Sequence, residues 1–210
     1  MNQISKPVAA RDMASPLLMA SGRVVDLENL RPSDIHWPDL VENLAKIPRF
    51  NGATEHVTYT VAQHCCLMYD RAEDRYKAHA LLYDFAAAFF GEPTWPFLSF
   101  VARKTDAPNA FMDAFKEAKG DITDVLCVAA GLSDNEDDEA VCKRLDYLDV
   151  VDAMLTASEV RDLMHAGAVR DTWKLQAPFP FPVKAWGQDK ARAELRTRLA
   201  FIGVYLGDRQ

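Results

Sequence analysis

Apolar residues recur every three to four positions through most of the chain, the spacing that places them on one side of an α-helix. Glycine is scarce, with 9 residues, and no stretch shows the sustained alternation that predicts a strand. Helices are predicted over residues 33–45, 61–70, 75–90, 109–130, 138–165 and 188–206. The pattern therefore predicts an all-α fold with about six or seven helices.

The stretches between these helices lack a helical pattern. Residues 1–22 are predicted to be a flexible N-terminal tail, and residues 23–206 a single helical domain. Residues 49–60 contain Asn51-Gly52 and are predicted to be a loop, as are residues 92–108, with at most one helical turn. The predicted helix over residues 75–90 is apolar over most of its circumference, so we expect it to be central and buried.

Composition narrows the class of protein. The chain has 24 Lys and Arg against 31 Asp and Glu, a net charge of −7, which argues against a nucleic-acid polymer as partner. The sequence contains no run of 18 apolar residues, which is the length that would predict a membrane-spanning helix. The cysteines lack CxxC spacing, which favours buried, reduced thiols and a cytoplasmic protein. They are Cys65, Cys66, Cys127 and Cys142.

Three side chains with metal-ligating chemistry fall in apolar stretches of three different predicted helices. They are His64, Asp84 and Asp152. A buried carboxylate is costly unless it is paired or bound to a metal. Two explanations stay open at this point: a shared metal site, or a structural role in which Asp84 pairs with a buried arginine, Asp152 faces water and His64 is a core histidine.

The order of the motifs around these residues resembles the HD-domain metal-dependent phosphohydrolases, in the small bacterial and phage branch similar to nucleotide phosphohydrolases. The resemblance covers roughly residues 21–201. Its motifs are RFNG (Arg49–Gly52), YTVAQH (Tyr59–His64), LLYD (Leu81–Asp84), the stretch Asp152–Met164 and the closing Lys184–Leu199.

This resemblance implies an HD-type helical domain in which His64, Asp84 and Asp152 hold a divalent metal ion. One imidazole with two carboxylates suits Mn, Mg, Co or Fe. Arg49 would meet a phosphate group with its planar fork, so Asp84 and Arg49 are the predicted catalytic residues. A nucleotide-like small molecule is the implied partner. The predicted substrate-binding residues are Arg49, Asn51, Glu159 and Arg161.

The chain departs from the family pattern at three chemical positions. Tyr83 stands where the family has the histidine of its His-Asp pair, Ala87 where it has an acid, and Leu98 where it has a lysine. A phenol with a reference pKa of about 10 is a poor ligand at neutral pH. We therefore expect metal binding to be weakened or absent. His56 and His79 are alternative replacement ligands.

These departures leave the function open between three predictions. The first is a catalytically weak or inactive protein that binds a nucleotide or acts in regulation. The second is an active phosphohydrolase that uses His64, Asp84 and Asp152 alone, so the sequence leaves open whether the protein is an enzyme. The third is a structural subunit of a larger assembly. A homo-oligomer fits any of them.

Overall fold

The computed structural model describes residues 14–132, 137–165 and 173–206. It begins with a small antiparallel hairpin of β1 (Pro16–Leu18) and β2 (Val24–Asp26), in which Leu17 pairs with Val25. The helices that follow are α1 (Trp37–Lys46), α2 (Val61–Arg71), α3 (Lys77–Leu82), α4 (Ala87–Phe90), α5 (Trp95–Ala102), α6 (Pro108–Ala129), α7 (Asp138–Leu163) and α8 (Gln188–Phe201). The predicted all-α fold is confirmed.

Helix α2 is the central element of the fold. It packs against α1, α3, α7 and α8, so every residue from Val61 to Met68 is buried. The hydroxyl of Thr60 accepts a hydrogen bond from the amide of Gln63 and caps the helix. The Gln63 side chain donates to the carbonyl of Lys184 and accepts from the amide of Trp186. These bonds fix the rotation of α2 and therefore the direction of its next residue, His64.

The predicted helix over residues 75–90 is broken in its middle. Helix α3 ends at Leu82 and α4 begins at Ala87. Between them the amide of Phe85 bonds the carbonyl of Leu82, and that of Ala87 bonds the carbonyl of Asp84, each three residues back. This tighter winding leaves the apolar pattern nearly intact, so the sequence gives little sign of it. Burial of the segment follows the prediction.

Residues 92–108, predicted to be a loop, contain a two-turn helix, α5. Thr94 precedes it and Pro96 occupies its first turn, where a missing amide costs nothing. The aromatic residues of α5 occupy several faces, so no amphipathic stripe marks the helix. Trp95, Phe97 and Phe100 are each more than half exposed.

Helix ends differ modestly from the predictions. Helix α8 ends at Phe201 rather than at 206, and Gly203 follows in the left-handed region, with φ of +88°. Helix α1 begins at Trp37 rather than at 33, because Pro32–Asp34 forms a 3-10 turn. None of the described helices has both the length and the hydrophobicity that crossing a bilayer requires.

The predicted N-terminal tail spans residues 1–22. Residues 1–13 lie outside the described residues. Residues 14–22 differ from a flexible tail: they contain β1, and the amide and hydroxyl of Ser21 bond the carboxylate of Asp39 at 2.8 and 2.6 Å. Strands of three residues are too short to show periodicity, so the sequence pattern missed them.

The prediction that the cysteines are buried needs one correction, since Cys142 is exposed while the other cysteines are buried.

Candidate metal centre

The structure brings the three predicted ligands together. Nε2 of His64 lies 3.1 Å from Oδ2 of Asp84 and 3.2 Å from Oδ1 of Asp152. One ligand atom from each residue lies within 4.8 Å of the other two. His64 comes from α2, Asp84 from the tight turns between α3 and α4, and Asp152 from α7. Three elements distant in sequence thus converge on a group that could hold a metal ion.

The bonding of His64 fits a metal ligand. Its side chain is fully buried, and Nδ1 lies 2.6 Å from Oε1 of Glu159. In the neutral imidazole, the form that a metal ion binds, a carboxylate that accepts the Nδ1 proton leaves Nε2 with its lone pair directed at Asp84 and Asp152. Among the described residues Nε2 has no hydrogen-bond partner. A lone pair facing two anionic oxygens is stabilised by a cation between them, so this donor set fits a divalent metal ion.

Electrostatics favour a cation at the same place. Burial opposes the charged form of His64, yet the carboxylates of Glu159, Asp152 and Asp84 outweigh it and raise the pKa of the imidazole. Burial likewise opposes ionisation of Asp84, but Lys119 and the other nearby donors hold the pKa of that carboxyl well below its usual value. The site concentrates negative charge that positive charge must balance.

Arg49 supplies part of that balance. The guanidinium is buried, and all three of its nitrogens have acceptors: Nε lies 3.2 Å from Glu159, Nη1 2.6 Å from Glu92, and Nη2 3.1 Å from the hydroxyl of Thr156. Nη1 also lies 3.4 Å from Asp84. Burial raises the pKa of Glu92 to about 7 even though Arg49 opposes this. Arg49 therefore ties together carboxylates from three separate segments.

The conformation of the RFNG segment explains how Arg49 enters the site. Phe50 and Asn51 both adopt the left-handed region, with φ of 54° and 55°, which is rare for residues other than glycine. The amide of Arg49 bonds the carbonyl of Tyr59 at 2.8 Å, which anchors the segment beside the start of α2. Backbone strain of this kind collects at functional sites. Asn51 itself is exposed, and its predicted substrate contact stays a prediction.

The other two predicted substrate-binding residues have different surroundings. Glu159 is fully buried and bonds three protein side chains, those of His64, Arg49 and Tyr59. Arg161 bonds Asp162 and, through Nη1 and Nη2, two main-chain carbonyls of the extended segment 178–183. Two residues apart on one helix, Glu159 and Arg161 point to different sides. Both side chains bond other parts of the protein and so have structural roles. That Glu159 or Arg161 also binds substrate stays a prediction.

At the positions that depart from the family pattern, the side chains are buried or bonded to other parts of the protein. The hydroxyl of Tyr83 donates to Asp149 instead of turning toward the triad. Burial and this bond raise the pKa of Tyr83, so its phenol stays neutral. Ala87 and Leu98 are buried. His56, an alternative ligand in the sequence, is 89% exposed and lies beside Glu55.

Sequence reasoning missed Lys119, on α6. Its Nζ lies 2.7 Å from Oδ1 of Asp84 and 4.5 Å from the centroid of the Tyr83 ring. A signal was present: residue 119 precedes Ile122 and Leu126 by three and seven positions, so a lysine stands on the buried face of its helix. Tyr59 and Thr156 were also missed, although Tyr59 begins the motif that ends at His64, and Thr156 lies one helical turn after Asp152.

Comparison of the sequence with protein-family models and with curated proteins finds no match for this chain. The cluster of His64, Asp84 and Asp152 does not by itself assign the chain to the HD-domain phosphohydrolases. The family therefore stays a prediction from the motifs, while the structure supports a group of residues that could hold a metal ion.

Proposed function

We propose that the chain binds a divalent metal ion and a nucleotide-like phosphate ester at His64, Asp84 and Asp152, as a degenerate phosphohydrolase-like protein with weak or no hydrolysis. One observation carries the proposal: Nε2 of His64 faces both carboxylates while Glu159 holds Nδ1. When bound, such an ion polarises a phosphate oxygen and acidifies water. Manganese, magnesium, cobalt and iron suit these ligands.

Weak hydrolysis follows from the groups around the ligands. Ala87 is a buried methyl group one tight turn after Asp84, and it cannot take a proton from water. Tyr83 is bonded to Asp149 and stays neutral, so it does not replace the missing histidine. Loss of a general base typically costs a factor of about 10² to 10⁴ in rate. The protein would then serve as a binding or regulatory component.

An active phosphohydrolase is the second candidate. Three protein ligands leave coordination positions for water and substrate. The Asp152 side chain is 31% exposed, whereas that of His64 is 0% exposed, so the ligand group is open to solvent on the Asp152 side. The third possibility from the sequence, a structural subunit, stays a prediction.

Metal binding is the first test, and Asp152 is the residue to change. We expect Asp152→Ala to weaken Mn²⁺ binding by more than about tenfold, since even changes to groups behind a metal ligand cost that much. Asp146→Ala is the matched control, because Asp146 is an exposed acid on the same helix. Isothermal titration of metal-free protein measures both affinities. Equal affinities for the two variants would refute the proposed site.

Phosphate release separates the two candidate functions. Nucleoside mono- and triphosphates are incubated with wild-type protein and Mn²⁺, Mg²⁺, Co²⁺ or Zn²⁺ in turn. Release that disappears in Asp152→Ala identifies an active phosphohydrolase. Release no higher than that of Asp152→Ala, together with intact metal binding, identifies the weak or inactive binder.

A further inference from the structure

Arg49 has its donors committed to protein acceptors. Each of its three nitrogens contacts a carboxylate or hydroxyl of the protein, and the residue is 6% exposed. Glu159, Glu92 and Asp84 lie against it. A phosphate group could reach the guanidinium only by displacing these carboxylates, which would also repel it. The cation that the sequence assigns to phosphate is therefore a poor receptor in this structure.

Lys119 has the properties that Arg49 lacks. Its side chain is 31% exposed, and its ammonium carries three N–H donors. Within the part of the chain that the structure describes, that ammonium donates to a single acceptor, Oδ1 of Asp84, at 2.7 Å. It therefore keeps donors for a further anion on the open side of the site.

The position of Lys119 is tied to the metal ligands through one carboxylate. Oδ1 of Asp84 accepts from Lys119, while Oδ2 of the same group lies 3.1 Å from Nε2 of His64. The ammonium therefore stands directly beside the ligand group, on the oxygen of Asp84 that is not the one nearest His64. A fixed positive charge in that place complements an anionic substrate whose phosphate lies next to the metal ligands.

We propose that Lys119 binds the phosphate group of the substrate at this site, in place of Arg49. The inference rests on the proposed function, since it assigns the receptor of the phosphate ester that the site would bind. It also gives Tyr83 a positioning role. The hydroxyl of Tyr83 is anchored to Asp149, and its ring lies 4.5 Å from the ammonium, a cation–π contact that directs Lys119 toward Asp84.

The test uses the full chain with inorganic phosphate as the probe, titrated calorimetrically with and without Mn²⁺. Lys119→Met is the main variant and Lys119→Arg keeps the charge. Lys116→Met is the matched control, because Lys116 lies one turn earlier on α6 and is exposed. We expect Lys119→Met to weaken phosphate binding about tenfold or more, the worth of a hydrogen bond to a charged group. Lys119→Arg and Lys116→Met should stay near wild type.

Lys119 could bind phosphate, or it could only hold the carboxylate of Asp84 in place. The Mn²⁺ affinity of the same variants distinguishes these two roles. If Lys119 binds phosphate, Lys119→Met leaves Mn²⁺ affinity unchanged or tighter, because a nearby positive charge is removed. Weaker Mn²⁺ binding with unchanged phosphate binding would overturn the inference and leave Lys119 as a support for Asp84.

The two proposals fail in different ways. Absence of Mn²⁺ binding in the wild type refutes the proposed function, and the phosphate titration without metal still tests Lys119. Equal phosphate affinities in Lys119→Met and Lys116→Met under both conditions, or no phosphate binding by the wild type in either, would overturn the role of Lys119 alone.

Discussion

The candidate site has a floor and a rim, and helix α7 connects them. The floor consists of Tyr59, His64 and Glu159 with the guanidinium of Arg49, and the rim of Tyr83, Lys119, Asp149 and Asp152. One face of α7 carries Asp149, Asp152 and Glu159, at spacings of three and seven residues. Their exposure falls along the helix, from an exposed Asp149 through Asp152 at 31% to Glu159 at 0%.

The difference between the two regions is one of desolvation. On the floor water cannot replace a lost partner, so every polar side chain there is bonded to another: Glu159 alone joins Tyr59, His64 and Arg49. On the rim water substitutes for a missing group at little cost. The floor residues match the motifs of the family that the sequence resembles, while the rim includes Tyr83, a clear departure.

Thiol reactivity should show the largest contrast between buried and open parts of the molecule. Cys65 follows His64 on α2, and burial raises the pKa of its thiol well above the usual value, whereas Cys142 is exposed. We expect a disulfide-forming reagent to label Cys142 at least about 10³-fold faster, because Cys65 reacts only when the core opens. Peptide mapping by mass spectrometry gives the rate at each cysteine.

Cys142→Ser protein provides the control for that experiment, since only slow labelling should remain in it. Denatured protein should be labelled rapidly at Cys65 as well. Labelling of Cys65 as fast as Cys142 in the folded protein would mean that the reagent reaches the residue next to His64, which would contradict the burial of the floor.

Removing the shared carboxylate of the floor should be the next largest effect. Glu159→Ala leaves a buried guanidinium, an imidazole and a phenol without their common partner, and we expect it to cost about 3–5 kcal/mol of unfolding free energy. Asp149→Ala, the control on the rim of the same helix, should cost less than about 1 kcal/mol. Urea unfolding of the metal-free proteins, followed by circular dichroism, measures both. A difference below about 1 kcal/mol would contradict the role given to the floor.

The metal-ligating residues could be predicted from the sequence better than the residues around them. His64, Asp84 and Asp152 stand out because each interrupts an apolar stretch, and their motifs follow a familiar order. Lys119 could not be placed on Asp84 in this way, because no periodicity encodes a contact across 35 residues. Its place on the buried face of α6 was visible, but not the partner that it meets there.

The fold likewise has parts that the sequence pattern predicts and parts that it does not. Helices whose apolar residues recur over many turns, such as α6 and α7, were predicted nearly to their ends. The break between Leu82 and Ala87 was not, since it changes the backbone winding and leaves the order of apolar residues as it was. That break places Asp84 in the site, so the feature that matters most for the chemistry is the one that local pattern conceals.

A matched pair of tyrosine substitutions compares a single hydrogen bond on the floor with a single hydrogen bond on the rim. Tyr59 and Tyr83 each donate a hydrogen bond to a carboxylate, the first on the floor and the second on the rim. Tyr59→Phe removes one of the two buried donors to Oε1 of Glu159 and leaves only Nδ1 of His64 there. Because a hydrogen bond to a charged group is lost, we expect a loss of about 1.5–3 kcal/mol in unfolding free energy. Tyr83→Phe should cost about 0.5 kcal/mol or less, because water reaches Asp149. Thermal and urea unfolding measure both losses, and equal losses would show that burial does not distinguish floor from rim.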